Sequence, residues 1–546
     1  MCGMLWAVQC AAAQLETEIV IYGSTPAAIA AAVEAGRRGA EAVIVAPETR
    51  IGGMTTAGLG QTDIGNKSAF KGIALEFYQD VARYYSKPDA WKWQKREEYF
   101  PDGQCAEDGE EGAEDAIEKG MWTFEPGAAL AVLEEWERKY KLDIRRGERL
   151  ERNGGVEKEG GRIVAIKTLA GNVYRGKVFI DATYEGDLMA AAGVSYRVGR
   201  ESNAEYGETI NGIQRELATN HQLWGEIDPF RVKGDSASGL LPGVEMDCDA
   251  PDGAGDARVQ AYCYRMCLTD VEENRIAFAK PEGYDEADYE LLLRNFERAG
   301  GEMDVPWINS KMPNRKTDTN NYSGFSTDLI GGSERWPEAG YEEREEIARR
   351  HLKYQQGLMW TLANHPRTPE KIRREVARWG TCKDEFADGY GDGWQRQLYV
   401  REARRMVGET VMTEHHCRGE VQVARPVAMG AYGMDSHNCR RYVTEQGFVR
   451  NEGNIEDYSK WTPAQLAAGR EWERFEPFGI DYGAITPKRA ECTNLLVPVC
   501  ISATHIAFGA IRMEPVFFAL GQAAGAAATA AAKDGVAVQD VEVENF

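Results

Sequence analysis

Residues 19–65, IVIYGSTPAAIAAAVEAGRRGAEAVIVAPETRIGGMTTAGLGQTDIG, decide the fold of this chain. The apolar run Ile19–Tyr22 predicts a short buried strand that stops at Gly23, Pro26 opens an alanine-rich segment of helical length, and residues 42–45 predict a second strand. Proline suits the first helical turn because the amide that it lacks would have no partner there. A strand, tight turn, helix and strand in this order predict a site for a dinucleotide pyrophosphate at the helix N-terminus, where free N–H groups and the helix dipole favour anions.

The match to the fingerprint G-x-G-x-x-G is partial. Gly23 takes its first position, but Thr25 stands at the second and Ala28 at the third, where alanine is tolerated. The acidic residue expected on the ribose is missing because the second strand ends in Ala46, so Glu48 would have to reach back. Taken alone, this stretch also fits an ordinary β-α-β unit that binds no nucleotide.

Closely spaced glycines follow the fingerprint and strengthen the nucleotide interpretation. They suggest a backbone that passes tightly along an extended cofactor, since glycine allows the closest approach of the chain. We therefore predict a cofactor site that includes Gly23, Thr25, Pro26, Ala27, Ala28, Glu48, Arg50, Gly52, Gly53, Met54, Gly58, Leu59 and Gly60.

The run GGMTTAGLGQTDIG (residues 52–65) resembles a family of FAD-dependent oxidoreductases that is often described as "xanthan lyase-like". Later runs resemble the same family, among them FIDATYEGDLMAAAGVSYRVGRES, QAYCYRMCLT, STDLIGGS, AYGMDSHN and NLLVPVCISATHIAFGAIRMEPVFFALGQAAG. The resemblance extends from about residue 19 to about residue 531. It implies an α/β fold with an FAD-binding domain of the glutathione-reductase type, and substrates that are largely undefined.

The predicted architecture is a Rossmann-like FAD-binding domain into which an α+β substrate domain is inserted. We expect the first part of the FAD-binding domain at residues 16–193, mainly the substrate domain at 194–400, and a return to the FAD-binding domain at 401–546. Residues 1–15 would be the remnant of a signal peptide.

Residues 179–188 (FIDATYEGDL) resemble the strand of FAD proteins that ends in small residues. The resemblance implies that Ala182 and Thr183 lie against the ADP half of the cofactor. Asp187 begins the following helix and could either cap it or bind the sugar chain of the flavin.

The C-terminal run predicts the flavin end of the site. After a strand at residues 495–499, Ser502 stands where related flavoproteins carry a Gly-Asp pair, so it is the polar group left to meet the ribityl chain. Pro515 then opens a helix through Gly521 and Gln522, whose positive end we place at the flavin ring, and Arg512 could add its charge. This helix is apolar, but polar residues interrupt it and no membrane span is predicted.

Two histidines in family-matching runs, His437 and His505, are candidates for the group that takes a hydroxyl proton while the flavin takes hydride. Arg512 and Arg265 complete the catalytic set, although Arg265 could instead form a structural ion pair. We place Arg265 on a strand at residues 259–268, where Cys263 and Cys267 would lie about 13 Å apart on one face, too far for a disulfide.

Other polar residues receive weaker roles. Lys316, in a predicted loop at residues 313–328, is a modest candidate for substrate contact. The remaining histidines are expected at the surface or on a strand, and no metal site is predicted; they are His221, His351, His365, His415 and His416.

The net charge of −23 argues against nucleic acid or an anionic membrane surface as a partner. Residues 5–13 are apolar and end in small residues like the back half of a signal peptide, but the basic start is missing. The segment is either a truncated signal peptide or an irregular N-terminus of a cytosolic protein, and we favour export over a cytoplasmic location. The eleven cysteines show no disulfide framework.

The sequence thus predicts an FAD-dependent oxidoreductase that abstracts hydride from a CH–OH group of a carbohydrate or related small molecule, with an electron acceptor that it does not name. A flavin monooxygenase or reductase is an alternative, and so is a degenerate member that binds a glycan or partner without turnover.

Overall fold

The computed structural model describes residues 13–100, 117–457 and 476–543. Residues 1–12 of the predicted signal remnant, residues 101–116 and three of the eleven cysteines (Cys2, Cys10 and Cys105) lie outside these ranges. In chain order the α-helices are α1 Pro26–Arg37, α2 Gly72–Tyr85, α3 Arg96–Tyr99, α4 Pro126–Tyr140, α5 Asp187–Ala191, α6 Asn203–Tyr206, α7 Glu290–Ala299, α8 Tyr341–Asn364, α9 Glu370–Ala377, α10 Glu414–Cys417, α11 His505–Ile511 and α12 Glu514–Asp534.

The strands of the described ranges are β1 Gln14–Glu16, β2 Ile19–Tyr22, β3 Ala42–Ala46, β4 Asp143–Arg146, β5 Val156–Glu159, β6 Arg162–Lys167, β7 Val173–Arg175, β8 Val178–Asp181, β9 Tyr196–Arg197, β10 Phe230–Val232, β11 Asp235–Leu240, β12 Glu245–Met246, β13 Met266–Thr269, β14 Arg275–Ile276, β15 Trp307–Met312, β16 Lys316–Asn321, β17 Gly380–Cys382, β18 Arg405–Met406, β19 Pro426–Gly430, β20 Met434–Ser436, β21 Arg440–Val443, β22 Val449–Glu452, β23 Ile455–Asp457, β24 Phe478–Asp481 and β25 Leu495–Leu496.

A parallel sheet in the order β25-β8-β2-β3-β4 forms the centre of the nucleotide-binding half. Its central strands are buried along their length, which fits a parallel sheet covered on both faces. The predicted strand–helix–strand unit is confirmed as β2, α1 and β3. The carboxyl ends of β2, β3 and β8 meet at one edge, where open α/β sheets bind their ligands. The predicted α/β Rossmann-type fold is thereby confirmed.

Helix α12 packs against α1 through glycines. A Cβ on Gly521 would lie 2.4 Å from the carbonyl oxygen of Ala27, and one on Gly525 would lie 2.4 Å from that of Ala31. By length and composition α12 is apolar enough to cross a membrane, but 83% of its most apolar window is buried inside the protein. Its apolar character therefore serves the core of the nucleotide-binding half.

Two further sheets flank this half. Strands β5, β6 and β7 form an antiparallel sheet, and β1 pairs in parallel with β7 at its edge. The inserted region contains an antiparallel sheet in the order β14-β17-β13-β16-β15. Strand β16 of this sheet carries two buried charged side chains, Lys316 and Asp318.

Several local predictions are wrong. The strand expected at 259–268 is confined to β13, and the predicted loop at 313–328 contains β16. Residues 173–181 form two strands, β7 and β8, because the amides of Lys177 and Val178 donate to the carbonyl of Glu18 and direct the chain into the parallel sheet. The strand at 495–499 shortens to β25.

The surface and strand predictions for the histidines need the same correction. His351 and His365 are buried, because α8 inserts one face into the core. His415 and His416 lie on α10 rather than on a strand. The residues that the structure describes contain no group of three or more His, Cys, Asp or Glu placed to hold a metal ion.

Candidate functional site

The turn between β2 and α1, which carries the glycine fingerprint, packs closely against the end of β8. Gly23 has φ +137°, and a Cβ there would lie 2.2 Å from the carbonyl oxygen of Ala182. The Oγ1 of Thr25 donates to the same oxygen at 2.8 Å, and the amide of Gly52 donates to the carbonyl of Ser24 at 2.6 Å. The turn, the strand end and the glycine-rich loop therefore form one continuous backbone surface at the start of α1.

Glu48 does reach back to this turn. The Oγ of Ser24 donates to the Glu48 carboxylate at 2.5 Å. The carboxylate absent from the end of β3 is thus replaced, two residues later, by one that faces the same edge of the sheet. Proline 26, Ala27 and Ala28 form the buried first turn of α1 behind it.

A cavity of about 710 Å³ opens at this edge, a volume within the range of about 300–1,000 Å³ typical of ligand sites. Of the predicted cofactor residues, those that line it are Glu48, Arg50, Gly53, Thr183 and Asp187. The other walls come from β2, from the loop after β4, from α8 and from residues 386–398, including Tyr22, Arg149, Tyr341, Gln395 and Leu398. The cavity is therefore lined both by the nucleotide-binding half and by the inserted region.

Asp187 neither caps its helix nor stands free. The N-cap of α5 is Gly186, and the Asp187 carboxylate pairs with Arg344 at 2.6 Å and with Arg404 at 2.8 Å. These guanidinium groups hold the pKa of Asp187 below its usual range although burial alone would raise it. The residue therefore supplies a fixed, paired charge to the cavity wall.

Three distant segments meet at the carboxyl group of Glu514. Thr55 Oγ1 and the Tyr184 hydroxyl each donate to it at 2.8 Å, and the amide of Met54 donates to Tyr184 Oη at 2.9 Å. A Cβ on Gly53 would lie 2.3 Å from the same phenol oxygen. Burial raises the pKa of Glu514 to about 7. Glu514 thus ties the glycine-rich loop to α12.

Other predicted cofactor residues make framework contacts. Ser502 Oγ accepts from the amide of Gly408 at 3.0 Å, and Gln522 Oε1 accepts from the amide of Ile73 at 3.0 Å. Gly521 serves the α1–α12 contact described above. Gly58 and Gly60 allow close passage along Arg265 and Phe124, whose carbonyl oxygens lie 2.0 and 2.2 Å from the Cβ positions, and Leu59 is buried between them.

A cluster of buried charges surrounds the ring of Tyr399. The guanidinium carbons of Arg401, Arg512 and Arg265 lie 4.7, 5.8 and 5.9 Å from the ring centroid. Arg512 Nη1 also donates to the Tyr399 hydroxyl at 2.9 Å. All three arginines are at least 97% buried, so each needs a counter-charge.

Each arginine of this cluster has an aspartate partner. Arg265 forms two bonds of 2.7 Å with Asp318, which is the structural ion pair considered as its alternative role. Arg512 pairs with Asp435 at 3.1 Å, and Arg401 pairs with Asp328 at 3.0 Å. Within the described ranges, Nε of Arg401 and Nε of Arg512 are buried without a hydrogen-bond partner. These two donors mark the cluster as a place for a ligand that carries acceptor atoms.

His437 lies beside these pairs. Its Nδ1 bonds to Asp328 Oδ2 at 2.7 Å, which fixes the ring and places the proton on Nδ1. Its Nε2 is 3.9 Å from Asp435 Oδ2, too far for a hydrogen bond. Burial and the charge of Arg401 lower the pKa of His437, so the ring is neutral near pH 7 with a free lone pair on Nε2.

His505 begins α11 and is more deeply buried. Its Nδ1 bonds to Glu402 at 2.7 Å, and Gln260 joins Glu402 to the backbone amide of His437 through bonds of 2.8 and 3.2 Å. Burial alone would raise the pKa of Glu402, but His505 and Arg405 lower it to about 2. The two predicted histidines therefore belong to one connected polar network.

Asp63 is a site residue that the sequence reasoning missed. It lies between Arg265, Arg512, Asp435 and Asp318, and burial raises its pKa to about 6. The described residues offer its carboxylate no hydrogen bond. An acidic residue between glycines in the quoted run GQTDIG was the available signal. Tyr399 and Arg401 carried no such signal, since they lie in no recognised motif, and Lys316 is removed from the candidates because it is buried with Glu125, Asp384 and Glu385.

Among solved structures the chain is similar to a flavin-containing monooxygenase from Stenotrophomonas maltophilia (17% identity, 35% of this chain and 43% of that one, TM-score 0.20). It is also similar to L-proline dehydrogenase from P. horikoshii (15%, 35% and 59%, TM-score 0.23) and to 3-ketosteroid-delta4-(5alpha)-dehydrogenase from Rhodococcus jostii RHA1 (16%, 33% and 48%, TM-score 0.19).

In each case the match spans less than two thirds of the other protein, and these likenesses carry no functional argument. No curated protein matches the chain. The family described as FAD dependent oxidoreductase, in contrast, matches residues 18–546. The chain therefore belongs to the FAD-dependent oxidoreductases, and its cofactor is FAD.

Proposed function

We propose that this oxidoreductase abstracts hydride from a CH–OH group of a carbohydrate or related small molecule, with His437 as the acceptor of the hydroxyl proton. The observation that carries the proposal is the Asp328–His437 pair, whose Nε2 is free beside the charged cluster. The same arrangement of carboxylate, imidazole and open nitrogen allows a histidine to act as a general base.

FAD fits the residues at the edge of the parallel sheet. The first turn of α1 and the bare backbone at Gly23 suit the pyrophosphate, and Glu48 suits a ribose hydroxyl. The cavity walls at Thr183 and Gly53 continue toward the inserted region. When bound, FAD supplies the acceptor for hydride and thereby makes the oxidation of an alcohol feasible.

The proton is handled by the chain itself. A neutral His437 accepts the hydroxyl proton at Nε2, and the imidazolium that results is stabilised by Asp328 through the 2.7 Å bond at Nδ1. The low pKa of Asp328, which Arg401 and His437 maintain against the effect of burial, keeps this partner ionised throughout. The network through Gln260 to Glu402 and His505 orients the His437 backbone, so His505 is a positioning residue here.

The polarity of the cluster supports a substrate rich in hydroxyl groups. Each of the three arginines is balanced by an aspartate, which leaves little net positive charge to attract an anion. The remaining groups are acceptors at Asp63 and donors at Arg401 and Arg512. Such mixed, fixed donors and acceptors bind hydroxyls with defined orientation.

Anaerobic absorption spectroscopy tests the proposed function. The holoprotein is mixed with aldoses, alditols, uronates and simple alcohols, and bleaching of the flavin bands by a hydroxyl compound is the expected result. Bleaching by none of these, together with reoxidation of chemically reduced protein by an electron-poor alkene, would establish the reductase alternative.

Substitution tests the role of His437. We expect His437→Gln to lower the rate of flavin reduction by about 10²–10⁴-fold, the usual contribution of a general base, while flavin content stays at one per chain. His415→Gln is the matched control, because Nδ1 of His415 also bonds to a carboxylate at 2.7 Å, that of Glu420, but His415 lies at the surface. An unchanged rate in His437→Gln would remove this residue from the mechanism.

A further inference from the structure

We propose that Cys267 and Cys382 form a disulfide bond and that this bond fastens a wall of the cofactor cavity. The two sulfur atoms lie 3.8 Å apart, and both residues are completely buried. Among the other described cysteines, the sulfurs of Cys248 and Cys263 contact arginine nitrogens, and that of Cys492 contacts the Asn494 side chain.

Strand pairing brings the two cysteines together. β13 and β17 are antiparallel, with Leu268 opposite Thr381 and Thr269 opposite Gly380, so Cys267 comes opposite Cys382. Directly opposed residues of antiparallel strands have Cα atoms about 4.5–5.5 Å apart, within the span of about 4.4–6.8 Å that a disulfide requires. The sulfurs can therefore reach bonding distance by side-chain rotation, without a shift of the strands.

Cys263 has a different environment. Its sulfur lies 3.3 Å from Arg401 Nη2 within the charged cluster. The sulfur neighbour of Cys267, in contrast, comes from a residue 115 positions later in the chain.

The sulfur pair supports the cavity directly. Cys267 and Cys382 pack with Met312 and Phe386 in a small apolar cluster of their own. Phe386 also lines the cofactor cavity, where the Arg50 guanidinium lies 5.3 Å from its ring centroid. Seven residues of the segment 386–398, which follows Cys382, line that cavity. A covalent bond at Cys382 would hold the start of this wall to β13.

The oxidant we name is a small-molecule disulfide such as oxidised glutathione. One cysteine thiolate attacks its S–S bond, which forms a mixed disulfide and releases one thiol. The second cysteine then displaces the remaining thiol, and the Cys267–Cys382 bond forms. Two protein thiols lose two electrons and two protons in total, and the oxidant gains them as two thiols.

Access to the buried sulfurs requires local opening. Burial raises the pKa of Cys267 well above its usual range, so the thiol is unreactive while the sheet is closed. β17 has three residues, and β14, which covers it at the sheet edge, has two. Strands this short open readily compared with the central parallel sheet.

The test is peptide mapping of the holoprotein. The protein is incubated with oxidised glutathione, blocked with N-ethylmaleimide and digested without reductant. We expect one pair of peptides joined through Cys267 and Cys382, which dithiothreitol separates. Recovery of both cysteines as maleimide adducts from folded, oxidised protein would overturn the proposal.

Variants and flavin release separate the two parts of the proposal. Cys382→Ser should abolish the linked peptides, and Cys492→Ser, a buried cysteine without a sulfur neighbour, should leave them unchanged. Oxidised protein should release FAD several-fold more slowly than reduced protein on mild heating. Equal release rates, despite a mapped disulfide, would show that the bond does not fasten the cavity wall. If Cys382→Ser fails to fold, mapping of the natural chain still decides the first part.

Discussion

At the scale of single residues, the site consists of arginine–aspartate pairs and one further buried carboxylate that belongs to none of these pairs. Arg265, Arg401 and Arg512 each have an aspartate partner, whereas Asp63 has neighbours of both signs and no hydrogen bond from the described residues. Removing one member of a buried pair usually costs about 3–5 kcal/mol, because the other charge is left unpaired. Asp63 can be neutralised without that penalty, so it is the residue to vary first.

We expect Asp63→Asn to change the pH dependence of substrate oxidation. In the natural protein we expect Asp63 to bind substrate hydroxyls as a carboxylate. The value of kcat/KM should then rise as the pH increases through the Asp63 pKa of about 6. In the variant this limb should vanish, which leaves only the limb from protonation of His437, whose pKa burial and the charge of Arg401 lower. The measurement is kcat/KM from pH 4.5 to 8.

The control for this prediction is Asp89→Asn, which changes an exposed carboxylate and should keep both limbs. A limb near pH 6 that persists in Asp63→Asn would show that another group is titrating.

At the scale of elements, close backbone contacts join the parts of the nucleotide-binding half. The turn before α1 touches β8 at Gly23, and α1 touches α12 at Gly521 and Gly525. Each contact excludes even a methyl group, because backbone oxygens occupy the position of the Cβ. Packing therefore requires glycine at all three positions, and the φ of +137° adds a backbone requirement at Gly23.

Gly23→Ala should greatly reduce flavin retention, and a bulkier residue such as leucine should abolish it. The new Cβ would meet the Ala182 carbonyl at 2.2 Å and displace the turn that faces the pyrophosphate. Gly39→Ala is the matched control: its φ of +76° is also unfavourable for alanine, but nothing lies within 4 Å of its Cβ position. Flavin per chain after gel filtration is the measurement, and full occupancy in Gly23→Leu would show that the pyrophosphate lies elsewhere.

Gly521→Ala should destabilise the protein by about 1–3 kcal/mol through overpacking against α1. Gly36→Ala, at an exposed position of α1 with open space around its Cβ, should instead stabilise it by about 0.5–1 kcal/mol, since alanine is the better helix former. Urea unfolding of both variants measures the difference. A neutral Gly521→Ala would mean that the two helices separate without cost.

At the scale of the whole molecule, Glu514 joins segments that are far apart in the chain. Its carboxyl group receives bonds from Thr55 and Tyr184, 459 and 330 positions away. Burial raises the pKa of Glu514 from 4.5 to about 7. Between pH 4.5 and about 7 the folded protein therefore keeps a proton on this carboxyl group that the unfolded protein has already lost. Over that range the contribution of Glu514 to stability falls as the pH rises.

Glu514→Gln should therefore gain stability relative to the natural protein as the pH increases from 4.5 to 8. The amide keeps an acceptor for one of the two donors and carries no charge, and each pKa unit of difference corresponds to about 1.4 kcal/mol. Thermal unfolding of both proteins at several pH values is the measurement. A difference in Tm that does not depend on pH would show that the carboxyl group is ionised in the folded protein.

Much of the nucleotide-binding half could be predicted from the sequence because its signals are local. β2, α1 and β3 follow from apolar runs, a helix-opening proline and a glycine, all within 28 residues. The inserted region was predicted less well. Strands β13 and β16 are short, and their limits depend on pairing with partners elsewhere in the chain, so residues 259–268 and 313–328 were assigned wrongly.

By itself the sequence determined the class of fold and the FAD family, and it predicted a nucleotide site at the edge of the sheet, since hydrophobic periodicity and glycine positions act over a few residues. Only the tertiary structure decided which charges meet. Long-range packing pairs Asp328 with His437 and gathers three arginines around Tyr399. It also places Asp63 among these charges and brings the sulfurs of Cys267 and Cys382 together. Burial then set their pKa values, because the energy of a charge depends on the surroundings that the whole fold provides.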